Sequence, residues 1–299
     1  MKINIYTTLN GVGLQQDANL LADIFQKAGH SIFIYDRKNP KPVKRGNIGF
    51  HLEIPMYNMF SACQHNIFIP NPEWYYNQWT SHLKYFSAIF AKTHDCKRIF
   101  DNLHENVIHT GFISRDFYLK GIKKEKIFLH IAGKSQMKGT TAIIQAYEYN
   151  PALPKCFIIS SLNYQIPKNM AICNMLSDEQ LQLMYNAAWF HLCPSQYEGW
   201  GHYIHEAYSC GGIVLLTDHP PMNEFESDPF LIKINDKFRK EAAICGKADY
   251  KSVAERIEYC CSLSDEQLEA KSTVNRKKLL SNSKNFTKFV LEYVQKTKT

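Results

Sequence analysis

Two carboxylates, Glu198 and Glu206, stand with seven residues between them in the run PSQYEGWGHYIHE (194–206). Gly199 and Gly201 punctuate the turn that separates them, and apolar segments flank the run at 189–193 and 213–216. A loop that passes directly into a helix presents backbone N–H groups with no partner inside the helix. Such a helix start favours an anion. A carboxylate one turn further along can accept from two vicinal hydroxyls. The combination suits a ligand carrying both phosphate and hydroxyls, and a nucleotide sugar is such a ligand. Glycines at 199 and 201 let it approach the backbone closely.

A second segment, HIAGKSQMKGT (130–140), puts Lys134 and Lys138 on a glycine-bounded loop between a predicted strand and a predicted helix. Either lysine alone reads as solvated surface. As a pair at the carboxyl end of a strand, the two ammonium groups can converge on one diphosphate and offset the charge that develops when it leaves. Near the start of the chain, Asn10-Gly11-Val12-Gly13 follows the first strand, and Asp36 lies at the end of the second. A dinucleotide-binding protein would look similar, with the aspartate on a ribose. Gln16 stands where its third glycine should be, and residues 7–10 lengthen the turn. That loop reads equally as a structural turn or as a phosphate-approaching one.

These segments need strands and helices to hold them. Short apolar strands are predicted at 2–6, 31–35, 48–52, 66–69, 88–91 and 105–109, with an amphipathic helix at 15–28. The alternation resumes with a strand at 127–133, a helix at 140–148, a strand at 156–160 and a helix at 178–188. Alternation of this kind implies parallel sheets covered by helices. Ser177 with Gln180 forms a capping box, and the SDEQL string recurs at 264–268 as a second helix start. The tail at 285–295 is amphipathic through Phe286, Phe289, Val290 and Val294. The economical reading is two doubly wound α/β domains, 1–124 and 125–282, with a C-terminal helix at 283–299 returning to the first. Ligands would bind at the strands' carboxyl ends, in a cleft between domains.

Composition sets outer limits. The 299 residues are 45% hydrophobic and 21% charged, as in a globular protein. No apolar run is long enough to span a bilayer, and the first residues read as a strand rather than a signal peptide. The nine cysteines are odd in number and irregularly spaced, with no C-x-x-C pair, and imply reduced thiols in the cytoplasm. The net charge of +7 gathers at 38–45, 120–126 and 271–278. Without a nucleic-acid motif these lysines argue against nucleic acid. They read first as solvated surface; the sharper reading, joined by the aromatic segment at 74–79, is peripheral contact with an anionic membrane surface, or a phosphorylated acceptor.

Taken together, Gly13, Gly29-His30, GKSQMKGT, PSQYEGWGHYIHEA and SCGGIVLLTD with Asn223-Glu224 resemble the retaining glycosyltransferases of family 4, which have the GT-B fold. The similarity covers most of the chain and is strongest in the second half. It implies a donor site in which Gly13 matches the second N-terminal glycine, Val12 occupying the place of the first. Lys134 stands where the family has arginine, on a loop one residue shorter, and Lys138 matches its lysine. Glu198 matches the glutamate facing the donor sugar, and Glu206 the one holding the ribose. Gly201, His202, Tyr203 and Ile204 match the helix start that meets sugar and phosphate.

The resemblance thins between residues 38 and 113, on the acceptor side. Where many members carry a histidine, this chain has Asn71 and Glu73, with His51 and His94 as rival candidates. Trp200 is expected in the core or wall of the site rather than as a stacking platform. His202 and His205 lack a third ligand for a metal. The implied activity is metal-independent, cofactor-free transfer of a hexose from a nucleoside diphosphate sugar to a hydroxyl acceptor, with retention. A non-catalytic nucleotide-sugar binder or transferase partner subunit is the main alternative. A nicotinamide-dependent oxidoreductase using Gly11, Gly13 and Asp36 would leave both the glutamates and the lysines unexplained.

Overall fold

The computed structural model describes residues 1–11, 13–174 and 176–297, so Val12 lies outside the described residues. The chain divides into two units: Met1–Ser114 with Lys240–Ala243 and Asn282–Thr299, and Arg115–Arg239 with Ile244–Ser281.

In the first unit, β1 (Lys2–Thr7), α1 (Gly13–Lys27), β2 (Ser31–Asp36), β3 (Gly46–Leu52), β4 (Cys63–Ile69), β5 (Ala88–Ala91), α2 (His94–Phe100) and β6 (Val107–His109) form a six-stranded sheet ordered β2-β1-β3-β4-β5-β6. Its pairings are parallel. The strands read as nearly continuous apolar runs because both faces are covered; β1 is buried along its whole length after Lys2. Helix α1 buries Leu14, Ala18, Leu21, Ala22 and Phe25, a stripe at helical spacing. It ends where Gly29 takes φ +79°. Gly29 N–H then donates to Gln26 O and His30 N–H to Phe25 O, satisfying the last carbonyls of the helix. Strand order reverses between β1 and β3, so the loops after those strands diverge at the carboxyl edge.

One polar contact sits deep in this unit. Lys92, just after β5, holds Asp17 of α1 at 2.6 Å, with side chains only 3% and 4% exposed. The cation also lies over the Phe112 ring and donates to Asn71 Oδ1 at 3.2 Å.

The second unit carries β7 (Glu125–Gly133), α3 (Thr140–Tyr149), β8 (Cys156–Ser160), β9 (Met170–Cys173), α4 (Asp178–Ala187), β10 (Ala188–Cys193), α5 (His202–Ser209), β11 (Ile213–Thr217) and β12 (Leu231–Ile232). They give a second parallel sheet, ordered β12-β11-β10-β7-β8-β9. Its order reverses between β7 and β10. The lysine loop follows β7 and the glutamate loop follows β10, so this topology delivers both to one point on the carboxyl edge. A two-stranded sheet of β13 (Ile234–Lys240) and β14 (Ala243–Ala248) and helix α6 (Tyr250–Ser262) follow.

The chain closes with one helix, α7 (Asp265–Lys296), where the sequence suggested a helix start at 264 and a separate helix from 283. No glycine or proline interrupts 265–296, so nothing stops the helix once Ser264 and Gln267 cap it reciprocally. Its last part belongs to the first unit, where Phe286, Val290 and Val294 are buried and Phe289 meets Phe90 at 5.2 Å. All nine cysteines are free thiols. Among the described residues no helix is long and apolar enough to cross a membrane.

Two outcomes follow for stability. Lys92→Met takes the cation from the buried Asp17 carboxylate and is expected to cost about 3–5 kcal/mol in urea unfolding, with most of the loss recovered in Lys92→Met/Asp17→Leu. A single-variant cost below about 1 kcal/mol would contradict the assignment. Burial also holds His51 at a pKa of about 3, His130 at about 4 and His191 at about 3. The unfolded chain binds protons on these rings near pH 6.5, so stability should fall as pH drops below 6.5, by up to about 1.4 kcal/mol per pH unit for each ring. Unfolding free energies that stay flat from pH 6.5 to 5 would rule this out.

Candidate functional site

Strand β7 ends at Gly133, and its loop tightens into a single 3-10 turn at Gln136–Lys138, capped by Ser135 Oγ accepting from Met137 N–H. Gly139 then enters α3 with φ +72°. A Cβ at that position would lie 2.0 Å from the carbonyl oxygen of Pro194. Only glycine therefore lets the lysine loop and the glutamate loop meet backbone to backbone. Gln196 N–H donates to Met137 O at 2.8 Å, and Thr217 Oγ1 to Ser195 O at 2.7 Å. Beneath them His130 donates through Nδ1 to Leu192 O at 2.7 Å and accepts at Nε2 from Thr140 Oγ1 at 2.9 Å. One buried neutral ring thus ties β7, β10 and α3 together.

This framework brings Lys138 and Glu198 into an ion pair of 2.6 Å. Their side chains are 19% and 13% exposed, shielded enough to strengthen the attraction yet still reachable. Ser195 Oγ donates to the same Glu198 oxygen at 2.5 Å, and the Tyr203 hydroxyl lies 2.5 Å from Ser195 Oγ. Since the single Ser195 proton goes to Glu198, Tyr203 is the donor in the second bond. Tyr203 also lays its ring 3.9 Å beneath the Lys138 ammonium, and burial raises its own pKa well above the usual phenol value. The result is a relay from Tyr203 through Ser195 to Glu198 and Lys138.

Helix α5 opens on Gly201 at φ +79°, where a Cβ would press on the Ile204 side chain at 2.8 Å. Its first turn contains no acidic residue, so the positive end of the helix is not offset from within. One turn in, Glu206 is buried and accepts from Arg115 Nε at 3.0 Å and from Tyr185 OH at 3.2 Å. Arg115 rests over the Phe117 ring. Trp200 is 5% exposed and stacks on His205 at 3.9 Å, so it is core. Among the described residues no three His, Cys, Asp or Glu side chains gather as a metal site.

The sequence candidates are thus distributed unevenly. Lys138, Glu198, Gly201, Tyr203 and Ile204 come together, whereas Lys134 is exposed on the same loop and joins neither glutamate. Sequence reasoning missed Ser195, Arg115 and Tyr185. Ser195 lies inside the quoted motif and its hydroxyl was available to reading. Arg115 and Tyr185 reach Glu206 from 91 and 21 residues away in sequence and leave no local signal.

In the first unit, Gly13 begins α1 and is exposed. Asp36 accepts from Leu9 N–H and Lys38 N–H through Oδ1 and from Asn39 through Oδ2. Those bonds, led by the one from Lys38, pull its pKa down, and its carboxylate works as a loop clamp. His51 is fully buried in β3, with Nδ1 accepting from Met56 N–H and Nε2 donating to Asn66 Oδ1. Both nitrogens are committed, so in this conformation it offers nothing to a ligand. His94 is exposed and stacks on His109 at 3.7 Å, and Glu73 is buried. Asn71 donates to Glu53 Oε2 at 2.8 Å. Glu53, not singled out from the sequence, has a left-handed φ of +65° and a carboxyl raised in pKa by burial.

Solved structures place this architecture. The chain is similar to a glycosyltransferase from Rickettsia africae, with TM-score 0.77 at 12% identity over 99% of this chain and 98% of the other. It is also similar to sucrose-phosphate synthase of Thermosynechococcus elongatus, with TM-score 0.73 at 10% identity over 99% and 98%. Anabaena HepE, solved with UDP and glucose, superposes with TM-score 0.68 at 12% identity over 99% of each chain. No curated protein matches the sequence. At such identities the likeness is one of fold, and the fold is GT-B, that of glycosyltransferases. Residues 117–277 match the sequence model of the family described as glycosyl transferases group 1, and the chain belongs to that family.

The Gly139–Pro194 approach gives a direct structural test. Gly139→Ala must move one of the two loops, and urea unfolding is expected to show a loss of at least about 2 kcal/mol. An unperturbed variant would mean that the two loops are not in fixed contact.

Proposed function

We propose that this glycosyltransferase is a metal-independent, retaining enzyme of family 4 that moves a hexose from a nucleoside diphosphate sugar to a hydroxyl acceptor. The observation that carries the reading is the Lys138–Glu198 pair, anchored by Ser195 and Tyr203 beside the acid-free start of α5. It sets a cation for the diphosphate next to a carboxylate for the sugar. HepE is solved with UDP-glucose, and that observation on a protein of the same fold supports a nucleotide-sugar donor here.

In this mechanism Lys138, aided by Lys134 from the same loop, takes the negative charge that grows on the diphosphate as the glycosidic bond breaks. The start of α5 adds the helix's positive end. These cationic groups do the work that a metal does elsewhere. Glu198 accepts from the sugar hydroxyls and holds the ring for attack from the acceptor. Glu206, held by Arg115 at 3.0 Å and by Tyr185 at 3.2 Å, is the carboxylate that accepts from the ribose hydroxyls. No covalent nucleophile is required; catalysis is positioning together with stabilisation of the leaving group.

A thermal-shift screen with UDP, GDP and ADP, followed by the matching labelled sugars, tests this. One diphosphate should raise the melting temperature, with a stabilisation of about 2.7 kcal/mol at a hundredfold excess over Kd, and its sugar should be transferred or slowly hydrolysed. Binding without turnover would leave a non-catalytic binder, and no shift with any of the three would refute the reading. Glu198→Ala should lower kcat roughly 100-fold, and full activity would remove that residue from the site. Glu206→Ala should raise the donor Kd about tenfold; unchanged binding would end its ribose role.

A further inference from the structure

The first unit contains a cavity of about 960 Å³ that the donor chemistry does not use. It lies at the carboxyl edge of that unit's own sheet. Asp36 ends β2, residues 54–59 follow β3, and residues 76–82 follow β4; all three stretches line it. Open α/β sheets bind ligands at this edge, and the volume is at the upper end of the usual range for small-molecule sites.

Its walls are of two kinds. Tyr57 and Tyr76 line the cavity and are 60% and 41% exposed. They are also held in place: Tyr57 stacks on His82 at 4.9 Å and 20°, and Tyr76 meets Trp79 edge-on at 4.9 Å and 83°. Fixed aromatic faces of this kind suit the C–H face of a pyranose, because they contribute apolar area without having to be ordered on binding. The charge on the wall is unbalanced. Asp36 is spent on its own loop, whereas Arg37 and Lys41 line the cavity and have no ion-pair partner among the described residues.

We propose that this cavity is the acceptor site and that the acceptor is an anionic saccharide, stacked on Tyr57 and Tyr76 and held at its carboxylate or phosphate by Arg37 and Lys41. The word acceptor rests on the transferase reading; the binding chemistry does not. Inorganic phosphate alone would leave the aromatic wall idle, and a neutral glycan would leave the two cations idle. The basic cluster at 38–45, which the sequence left between membrane and phosphorylated acceptor, thus gains a specific use at its near end.

The test is binding of the full chain to an array of neutral, uronate-bearing and phosphorylated oligosaccharides, with inorganic phosphate as competitor. The charged glycans should bind about tenfold more tightly than neutral ones of equal length, and the margin should shrink in high salt. Which charged class leads identifies the anionic group. Arg37→Gln/Lys41→Gln should abolish the margin, and Tyr57→Ala should weaken every glycan, with thermal unfolding checking that both variants are folded. Equal binding of neutral and charged glycans, a margin that survives the double variant, or retention of phosphate but no glycan would each overturn the proposal. A wild-type protein that answers to a nucleoside diphosphate but to no glycan refutes this inference alone; one that answers to acidic glycans but to no nucleotide refutes the transferase reading instead.

Discussion

The Lys138–Glu198 pair is the interaction on which the second unit's site depends. A charge pair only partly exposed is stable when each partner is held by further bonds, because desolvation otherwise offsets the Coulombic gain. Here Glu198 is held by Ser195, and Lys138 by the face of Tyr203. Those two are joined to each other, so the four groups support one another. Removing the ammonium would leave a carboxylate in a shielded position; removing the carboxylate would free the ammonium to swing out to water. The pair keeps both groups aimed before any ligand arrives, the condition under which electrostatic stabilisation needs little reorganisation.

Behind this pair stands a backbone constraint. Two loops from non-consecutive strands, β7 and β10, can face each other because the sheet order reverses between them. They can touch because residue 139 has no side chain. His130 and Thr217 then fasten the loops from below and beside. The first unit repeats the scheme with different contents. Its reversal lies between β1 and β3, and its carboxyl edge carries the buried Lys92–Asp17 pair, Asn71 and Glu53. The same topology thus gives one edge with a lysine–glutamate pair beside a helix start and another with a cavity walled by aromatic rings and cations.

Much of this could be read from the residues. Glycine, lysine and glutamate in GKSQMKGT and PSQYEGWGHYIHE are local signals, because turn, charge and helix start all lie within a dozen residues. The strands were legible as apolar runs, and both SDEQL caps formed the bonds that their spacing implies. What escaped is non-local or weakly patterned. Arg115 acts on Glu206 through the fold alone. Strand β13 is largely exposed, so its alternation carries little hydrophobic contrast. Helix α7 was read in two pieces because the polar stretch around residue 282 resembles a linker, although nothing in it ends a helix. The cavity of the first unit was least legible. Its aromatic residues come from separate loops, and only the sheet's carboxyl edge collects them.

The central claim is that Lys138, set by Glu198, is the group that reads the donor's diphosphate. Calorimetric titration of the wild type and of Lys138→Met with a nucleoside diphosphate and its monophosphate tests it most directly. The account predicts that the wild type prefers the diphosphate by roughly tenfold or more and that the preference collapses in the variant. A preference that persists undiminished without the ammonium would contradict it.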